Sequence, residues 1–229
     1  MNDICCNNVK DHCMKPIILF EDTHIIVCEK PSGIPTQTRQ LSQPDMVSIL
    51  KNHLAENARN HTEPYLGVIH RLDQPVCGLL VFAKTPFAAK ELSRQVATST
   101  FHKHYHATLC GVPPKSSDTL VDYLVKLPKE NRSEISDAKN SHAKKATLTY
   151  TITDDLTSSE LTEVTIELQT GRHHQIRVQM ANMGCPILGD TKYNPQPFPY
   201  GDRLPLALCA YKLEFPHPKS GEVLSFVLD

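Results

Sequence analysis

Ionisable side chains stand at the end of an apolar stretch near the middle of this 229-residue chain, where they could do chemistry. The run 67–73 ends in Asp73, which follows Arg71 by two residues. An opposite charge at ~4–6 Å lowers the pKa of a carboxyl group by roughly 1–3 units, so Asp73 could stay ionised and act as a nucleophile. A purely structural Asp–Arg pair explains the same residues, so this stretch alone leaves both interpretations open.

A second group of polar side chains lies in a run of residues that is typical of a β-strand. Lys103 and Tyr105 occupy alternate positions, so they share one face of the strand. His102, His104 and His106 alternate with them and share the other face, a spacing that metal sites use. A metal-binding protein is therefore one alternative function, although these histidines could equally line the edge of an RNA-binding surface.

A third group stands at the start of a predicted helix. The apolar spacing predicts this helix over His173–Met183, and Gly184 is a typical stop signal after it. The polar residues at its start are Arg172, His174, Gln175 and Arg177.

The elements that must position these groups change character along the chain. Strand and helix alternate at first, with predicted strands at 17–20, 24–28 and 78–83, a helix capped by Asp45, and a helix over Pro86–Ala97. The loop 30–35 either borders a cleft or merely turns the chain. The later pattern is mainly β, with predicted strands at 101–110, 119–127, 146–152, 161–168, 206–215 and 223–228. This order predicts an α+β fold built on a mixed, mainly antiparallel sheet with peripheral helices, in which Pro128–Lys145 is a long connection.

Composition limits the class of protein. Lys and Arg number 24 against 25 Asp and Glu, so only a local basic patch could bind a polyanion. Residues 84–145 contain eleven basic and six acidic residues, and they form either such a patch or an ordinary solvated surface of mixed charge. The eight cysteines form no CxxC pair, which favours free thiols. No apolar stretch approaches the roughly 20 residues that span a bilayer, and no secretory signal is visible. We therefore expect a cytoplasmic protein with a loose segment at 1–16 and one catalytic domain over 17–229.

The three groups together resemble the RluA family of pseudouridine synthases. The resemblance is carried, in the family's order, by His70-Arg71-Leu72-Asp73 with Gly78-Leu79-Leu80, Lys103-x-Tyr105-x-Ala107 with Gly111, Gly171-Arg172-x-His174-Gln175-Ile176-Arg177-Val178 with Gly184, Pro186, Ile187, Gly189-Asp190 and Tyr193, and Leu213-x-Phe215-Pro216-His217-Pro218-x-x-Gly221. It implies the pseudouridine synthase fold, a mixed sheet with peripheral helices and a central catalytic cleft.

The resemblance also implies roles for individual residues. It makes Asp73 the catalytic aspartate, Tyr105 the active-site tyrosine and Arg177 the arginine that pairs with the aspartate. Arg71 resembles the arginine that fills the gap left by the flipped-out uridine. We expect the remaining RNA-binding and base-flipping residues to be His70, Lys103, Arg172, His174 and Gln175.

The implied reaction converts uridine to pseudouridine in ribosomal or transfer RNA and needs no cofactor or metal. The aspartate attacks either the base or the ribose, and the sequence leaves both routes open. Extruding a stacked uridine costs a few kcal/mol, which favours a stem-loop or bulge as substrate. A protein of the same fold that binds RNA without catalysis is the other alternative. We expect a monomer of the short branch of the family, without the RNA-binding domain that precedes the catalytic domain in many relatives.

Three positions depart from the family pattern. Val76-Cys77 replaces Thr-Ser before Gly78, Gln179 stands where a histidine is common, and Cys209 replaces a histidine before Ala210. None removes a proposed catalytic group. Cys77 is either a thiol that makes the enzyme sensitive to thiol reagents or a small buried core residue.

Overall fold

The computed structural model describes residues 16–40, 42–56, 62–156, 160–199 and 201–228. The predicted loose segment at 1–16 lies almost entirely outside these residues, as do Cys5, Cys6 and Cys13. The described chain falls into two compact units, one made of the chain up to Phe101 together with the part from Tyr211 onward, the other of His102–Ala210. The assignment of residues 17–229 to one catalytic domain stays a prediction.

The described residues form three helices and eleven strands. The helices are α1 (Met46–Glu56), α2 (Pro86–Ala97) and α3 (Gln175–Asn182). The strands are β1 (Ile17–Glu21), β2 (Ile25–Lys30), β3 (Gly67–Val68), β4 (Cys77–Ala83), β5 (His102–Cys110), β6 (Ser117–Leu127), β7 (Arg132–Ile135), β8 (Lys144–Leu156), β9 (Leu161–Leu168), β10 (Leu208–Pro216) and β11 (Val223–Val227).

The first unit is built around β4, in which every residue is buried. Its strands follow the order β1-β2-β4-β10, with β11 beside β10 and β3 beside β4. The resolved pairs β1–β2, β2–β4, β3–β4 and β10–β11 are antiparallel. Helix α2 begins where sequence predicts, because Thr85 Oγ1 accepts a hydrogen bond from Ala88 N at 3.1 Å and Pro86 occupies the first turn. On the inner side of the helix, Leu92 packs into the core of this sheet. It lies there in a cluster with Leu79, Val81, Leu213 and Phe215.

The second unit is an antiparallel sheet in the order β5-β9-β8-β6-β7. Helix α3 packs against β6 and β7, where Val178 joins Leu124 and Ala146 in a small apolar cluster. Gly184, with φ of 89°, follows the helix in the left-handed conformation that ends helices.

The mixed, mainly antiparallel fold predicted from sequence is confirmed, but the predicted connection Pro128–Lys145 is wrong in part. It contains strand β7, which pairs with β6 from Leu124 opposite Ile135 to Leu127 opposite Arg132. The four-residue strand is exposed and polar at two positions, so it lacks the apolar alternation by which strands are recognised. Among the helices of the described chain, none is both long and apolar enough to cross a bilayer.

A fully buried lysine holds the loop that carries Asp73. Lys30 is 0% exposed, and its ammonium donates to three backbone carbonyls, those of Pro31 at 2.9 Å, Ile34 at 2.6 Å and Gln74 at 3.1 Å. Burial lowers the pKa of Lys30 to about 8. Electrostatic attraction by Cys77 and Asp73 acts in the opposite direction and raises this pKa, but by less than burial lowers it. The lysine therefore ties the end of β2 to the residue that follows Asp73.

Other bonds join the same two loops. Thr36 Oγ1 donates to the carbonyl of Leu72 at 3.0 Å and accepts from the amide of Leu72 at 3.1 Å. Gly33 N donates to Gln74 O at 2.9 Å, and Ser32 Oγ donates to Pro75 O at 2.8 Å. The loop 30–35, whose role the sequence left open, thus supports the loop 72–76.

We predict that Lys30→Met lowers the free energy of unfolding by about 2 kcal/mol. Loss of the ammonium leaves three carbonyls without their charged donor, worth ~1.5–3 kcal/mol each, and relief of the desolvation of the buried charge offsets part of this. Urea unfolding followed by circular dichroism measures the change. Lys90→Met, at an exposed position of α2, is the matched control and should change stability by less than about 0.5 kcal/mol. Equal midpoints for the two variants would contradict the role of Lys30.

Candidate active site

The first unit holds three of the predicted site residues on the loop before β4. Asp73 is half-buried, and its carbonyl accepts a hydrogen bond from Val76 N at 3.0 Å, which closes a turn. Arg71 is exposed. His70 is half-buried, its Nε2 accepts from Val81 N at 3.3 Å, and its ring lies edge-on to Phe101 with centroids 5.3 Å apart. The loop thus presents Arg71 outward while its neighbours are anchored to the sheet.

Cys77 follows this loop as the first residue of β4. It forms no disulfide bond and is 7% exposed. Its burial favours the packing interpretation over sensitivity to thiol reagents, because reactive cysteines are accessible.

The second unit holds the other six predicted site residues. On β5, Lys103 and Tyr105 face inward with exposures of 6% and 5%. The three histidines that alternate with them are less buried, and His102 Nδ1 lies 3.3 Å from Glu167 Oε1. Among the residues that the structure describes, no group of three or more His, Cys, Asp or Glu side chains is placed to hold a metal ion. The metal-binding alternative built on His102, His104 and His106 therefore has no cluster to support it.

Arg177, in the first turns of α3, is the most tightly held of these residues. Its Nε donates to Asp190 Oδ2 at 2.8 Å and its Nη2 to Asp190 Oδ1 at 2.7 Å, a two-pronged pair with side-chain exposures of 4% and 0%. Burial alone would raise the pKa of Asp190, but the hydrogen bonds and charge of Arg177 outweigh it and hold this pKa below its ordinary value. The pair uses one edge of the guanidinium and fixes the plane of the whole group.

The loop around Asp190 is shaped to make this pair. Asp190 Oδ1 also accepts from the amides of Lys192 at 2.9 Å and Tyr193 at 3.2 Å. Gly189 before it has φ of 76°, and a Cβ there would lie 2.2 Å from the carbonyl oxygen of Pro205. Only glycine fits this close approach.

Tyr193 connects Arg177 to the hairpin of β6 and β7. Its ring lies beneath two guanidinium groups, with the Cζ atoms of Arg132 and Arg177 at 5.0 and 5.2 Å from the centroid. Its hydroxyl accepts from Ser133 N at 2.8 Å and lies 2.7 Å from His174 Nδ1. Burial and the charge of Arg177 lower the pKa of His174 to about 3, so this imidazole is neutral and shares a hydrogen bond with the tyrosine hydroxyl through Nδ1.

His174 and Gln175 are structural supports of the helix start in this arrangement. His174 caps α3 with φ of 54° and is 7% exposed. Gln175 is 2% exposed, and its amide bonds to Thr170, Arg172, Thr147 and Gln179. Contact of either side chain with RNA stays a prediction. Arg172 is exposed, and its Nε donates to Lys145 O at 2.9 Å, which leaves its outer edge toward solvent.

Sequence reasoning missed two residues on which the site depends, Lys30 and Asp190. The only signal for Lys30 was a lysine that ends an apolar strand just before Pro-Ser-Gly. The signal for Asp190 was its place after Gly189 within the segment that resembles the family. Asp190 lies 13 residues from Arg177, and one of the three acceptors of Lys30, Gln74 O, lies 44 residues from it, so no local pattern indicates these contacts.

Comparisons with known proteins identify the family to which the chain is similar. Residues 24–182 match the family model described as RNA pseudouridylate synthase. The chain is 36% identical over 214 residues to the ribosomal large subunit pseudouridine synthase D of Nitrosomonas europaea, covering 90% of this chain and 60% of that protein. It is 33% identical to an uncharacterized RNA pseudouridine synthase of Chlorobaculum parvum, covering 91% and 69%.

Solved structures support the fold. The human RNA pseudouridylate synthase domain containing 4 protein superposes with a TM-score of 0.77 at 23% identity, covering 93% of this chain and 88% of that one. The human domain containing 1 protein gives 0.74 at 19% identity, covering 97% and 86%. The pseudouridine synthase fold expected from sequence is confirmed, and by the extent of the family match the chain belongs to the RluA family of RNA pseudouridine synthases.

Proposed function

We propose that this protein is an RNA pseudouridine synthase that isomerises specific uridines of large-subunit ribosomal RNA. The observation that carries the proposal is the match of residues 24–182 to the family model described as RNA pseudouridylate synthase, a range that contains Asp73, Tyr105 and Arg177. The ribosomal substrate is favoured over transfer RNA because the relative from Nitrosomonas europaea is named for the large ribosomal subunit. The chain spans only 60% of that relative, so the substrate is inferred by similarity.

The reaction is an isomerisation in which all atoms balance within the nucleotide and water. The bond from N1 of uracil to C1′ of ribose breaks, the base turns, and a bond from C5 to C1′ forms. The proton on C5 leaves and N1 takes one up, so no oxidant, energy source or cofactor is needed. An aspartate nucleophile divides this exchange into easier steps by forming a covalent species with the base or the ribose.

The roles expected from the resemblance fit the side chains as the structure has them. Asp73 supplies the carboxylate from a loop that Lys30 and Thr36 hold in place. We assign to Tyr105 the role of stacking on the uracil, close to the C5 proton that leaves. Arg177 is assigned to the Asp73 carboxylate, and its plane is set in advance by Asp190. Exposed Arg71 is suited to occupy the space of the extruded uridine.

We expect the enzyme to act as a cytoplasmic monomer on a stem-loop or bulge, where extruding the uridine costs the least free energy. Sedimentation of the protein with and without RNA checks the monomer.

The decisive experiment is tritium release from RNA labelled at C5 of uridine, with unmodified large-subunit ribosomal RNA and transfer RNA compared. We predict release from ribosomal RNA, and we predict that Asp73→Asn lowers the rate by more than about 10⁴-fold while RNA affinity stays within about threefold. Asp137→Asn, an exposed aspartate of the loop after β7, is the matched control and should keep full activity.

Two results would count against the proposal. Unchanged turnover in Asp73→Asn would overturn the assignment of the nucleophile. Tight binding without release from either RNA would favour the alternative of an RNA-binding protein without catalysis.

A second prediction concerns the pair of Arg177 and Asp190. Arg177→Ala should lower turnover about 10²-fold, because a misplaced catalytic group costs about this much. Its RNA affinity and the salt dependence of binding should change little, because Arg177 is buried against a carboxylate rather than placed on a phosphate. A variant with normal turnover and weakened binding would contradict this assignment.

Asp190→Asn tests the same pair through acid stability. The pKa of Asp190 lies below its ordinary value of 3.8, so its stabilising contribution is present above that pH and is lost as the pH falls through the lower native pKa. We expect the variant to be less stable by about 3 kcal/mol at pH 7 and to lose less stability than the wild type between pH 4 and pH 2, because its amide does not titrate there. Parallel acid-unfolding slopes in the two proteins would contradict the expectation.

A further inference from the structure

Lys103 differs from the other deeply buried cations of the described chain. Lys30 donates to three carbonyls and Arg177 is paired with Asp190. Lys103 is 6% exposed, and its ammonium makes none of the hydrogen bonds or ion pairs found among the described residues. It is not one of their fully buried polar atoms that lack a partner, so the ammonium keeps some contact with solvent while the rest of the side chain is buried. This burial removes part of the water around the charge and lowers the pKa of Lys103.

The ammonium lies beside the glycine that leads into α3. A Cβ added at Gly171 would stand 3.6 Å from Lys103 Nζ, with no other atom within 4 Å of it. Gly171 is exposed, and so is Arg172 after it. The absence of a side chain at Gly171 therefore leaves one side of the ammonium open to an incoming group. Tyr105 lies two residues along β5, on the same face of the strand as Lys103.

We propose that Lys103 Nζ binds a phosphodiester oxygen of the RNA strand next to the target uridine, and that Gly171 keeps the approach to it open. The inference rests on the proposed function for the identity of the RNA. It adds a site for the RNA backbone on the strand that carries Tyr105.

A phosphate fits the observations better than a carbonyl of the uracil ring. The ammonium is partly stripped of water, and a negatively charged oxygen compensates both for its charge and for the hydrogen bonds to water that it has lost. A carbonyl offsets only the hydrogen bond. The exposed guanidinium of Arg172, next to Gly171, adds positive potential of the kind that a phosphodiester chain follows.

The experiment measures binding of a fluorescent, single-stranded, uridine-rich RNA by anisotropy across a series of KCl concentrations. All variants carry Asp73→Asn, so that no RNA is turned over. We expect Lys103→Met to weaken binding about tenfold at the lowest salt, as loss of a charged hydrogen bond does. We also expect the slope of log Kd against log KCl concentration to fall by about 0.7, the value for one phosphate on a single strand.

Three variants control for the loss of charge and of shape. Lys103→Arg keeps the charge and should keep the slope. Gly171→Ala adds a methyl group at ordinary contact distance from the ammonium, so the protein should fold while the approach of phosphate is hindered and binding weakens several-fold. Lys90→Met removes a lysine from an exposed position of α2 and should leave the slope unchanged. Thermal unfolding of each variant reports whether the fold is kept.

Other outcomes overturn the proposal. Weaker binding of Lys103→Met with an unchanged slope would assign the lysine to a neutral group such as a uracil carbonyl. Unchanged affinity and slope would exclude contact with RNA altogether. If the wild type binds with the expected slope but releases no tritium, the proposed function fails while the phosphate site stands. If it releases tritium and the slopes of the variants are equal, only the phosphate site fails.

Discussion

The buried pair of Arg177 and Asp190 is the constraint around which the second unit is arranged. A guanidinium with 4% exposure must meet a carboxylate, since an isolated charge in such a place is strongly unfavourable. To bring that carboxylate there, the chain after α3 turns at Gly189, where any side chain would meet the backbone of Pro205. The turn then delivers Tyr193, whose ring and hydroxyl fasten the hairpin of β6 and β7 to the start of the helix. One ion pair thus sets the positions of a helix, a loop and a hairpin.

The first unit also contains a buried cation, but there the charge is stabilised by backbone carbonyls and not by a carboxylate. The carbonyls of Pro31, Ile34 and Gln74 replace water around the ammonium of Lys30, so the charge can be fully buried. Because these carbonyls belong to two different loops, the lysine holds the two loops at a fixed distance from each other. The same chemistry explains why Lys103 stands out, since it has the burial of a structural lysine without the ring of acceptors. Its ammonium lies instead at the opening beside Gly171, which is the basis of the phosphate site proposed above.

The sequence predicts most elements of the fold, but not the buried polar contacts that hold them in place. Helix α2 was predicted with its observed ends, because Thr85, Pro86 and the apolar spacing are all local signals. Strand β7 was missed, because its exposed residues carry no alternation and its pairing with β6 is what makes it a strand. The family resemblance assigns Asp73, Tyr105 and Arg177 to the site, whereas Asp190 acts through Arg177 and Lys30 reaches Gln74, and both of these contacts join residues distant in the chain. Whether a lysine or an aspartate is buried depends on the packing of the whole unit, which no short pattern encodes.

Gln179, which differs from the histidine of the family pattern, shows how such packing can accommodate a substitution. Gln179 is 0% exposed and links α3 to β6, since its Nε2 donates to Asp122 Oδ2 at 2.7 Å and its Oε1 accepts from Gln175 Nε2 at 2.9 Å. The amide thus offers one donor and one acceptor, which is what the two neighbours require. A histidine, common here in relatives, offers the same pair when neutral and gains a charge beside Asp122 when protonated. The substitution therefore keeps the link between α3 and β6 and places in it an amide, which unlike an imidazole does not titrate.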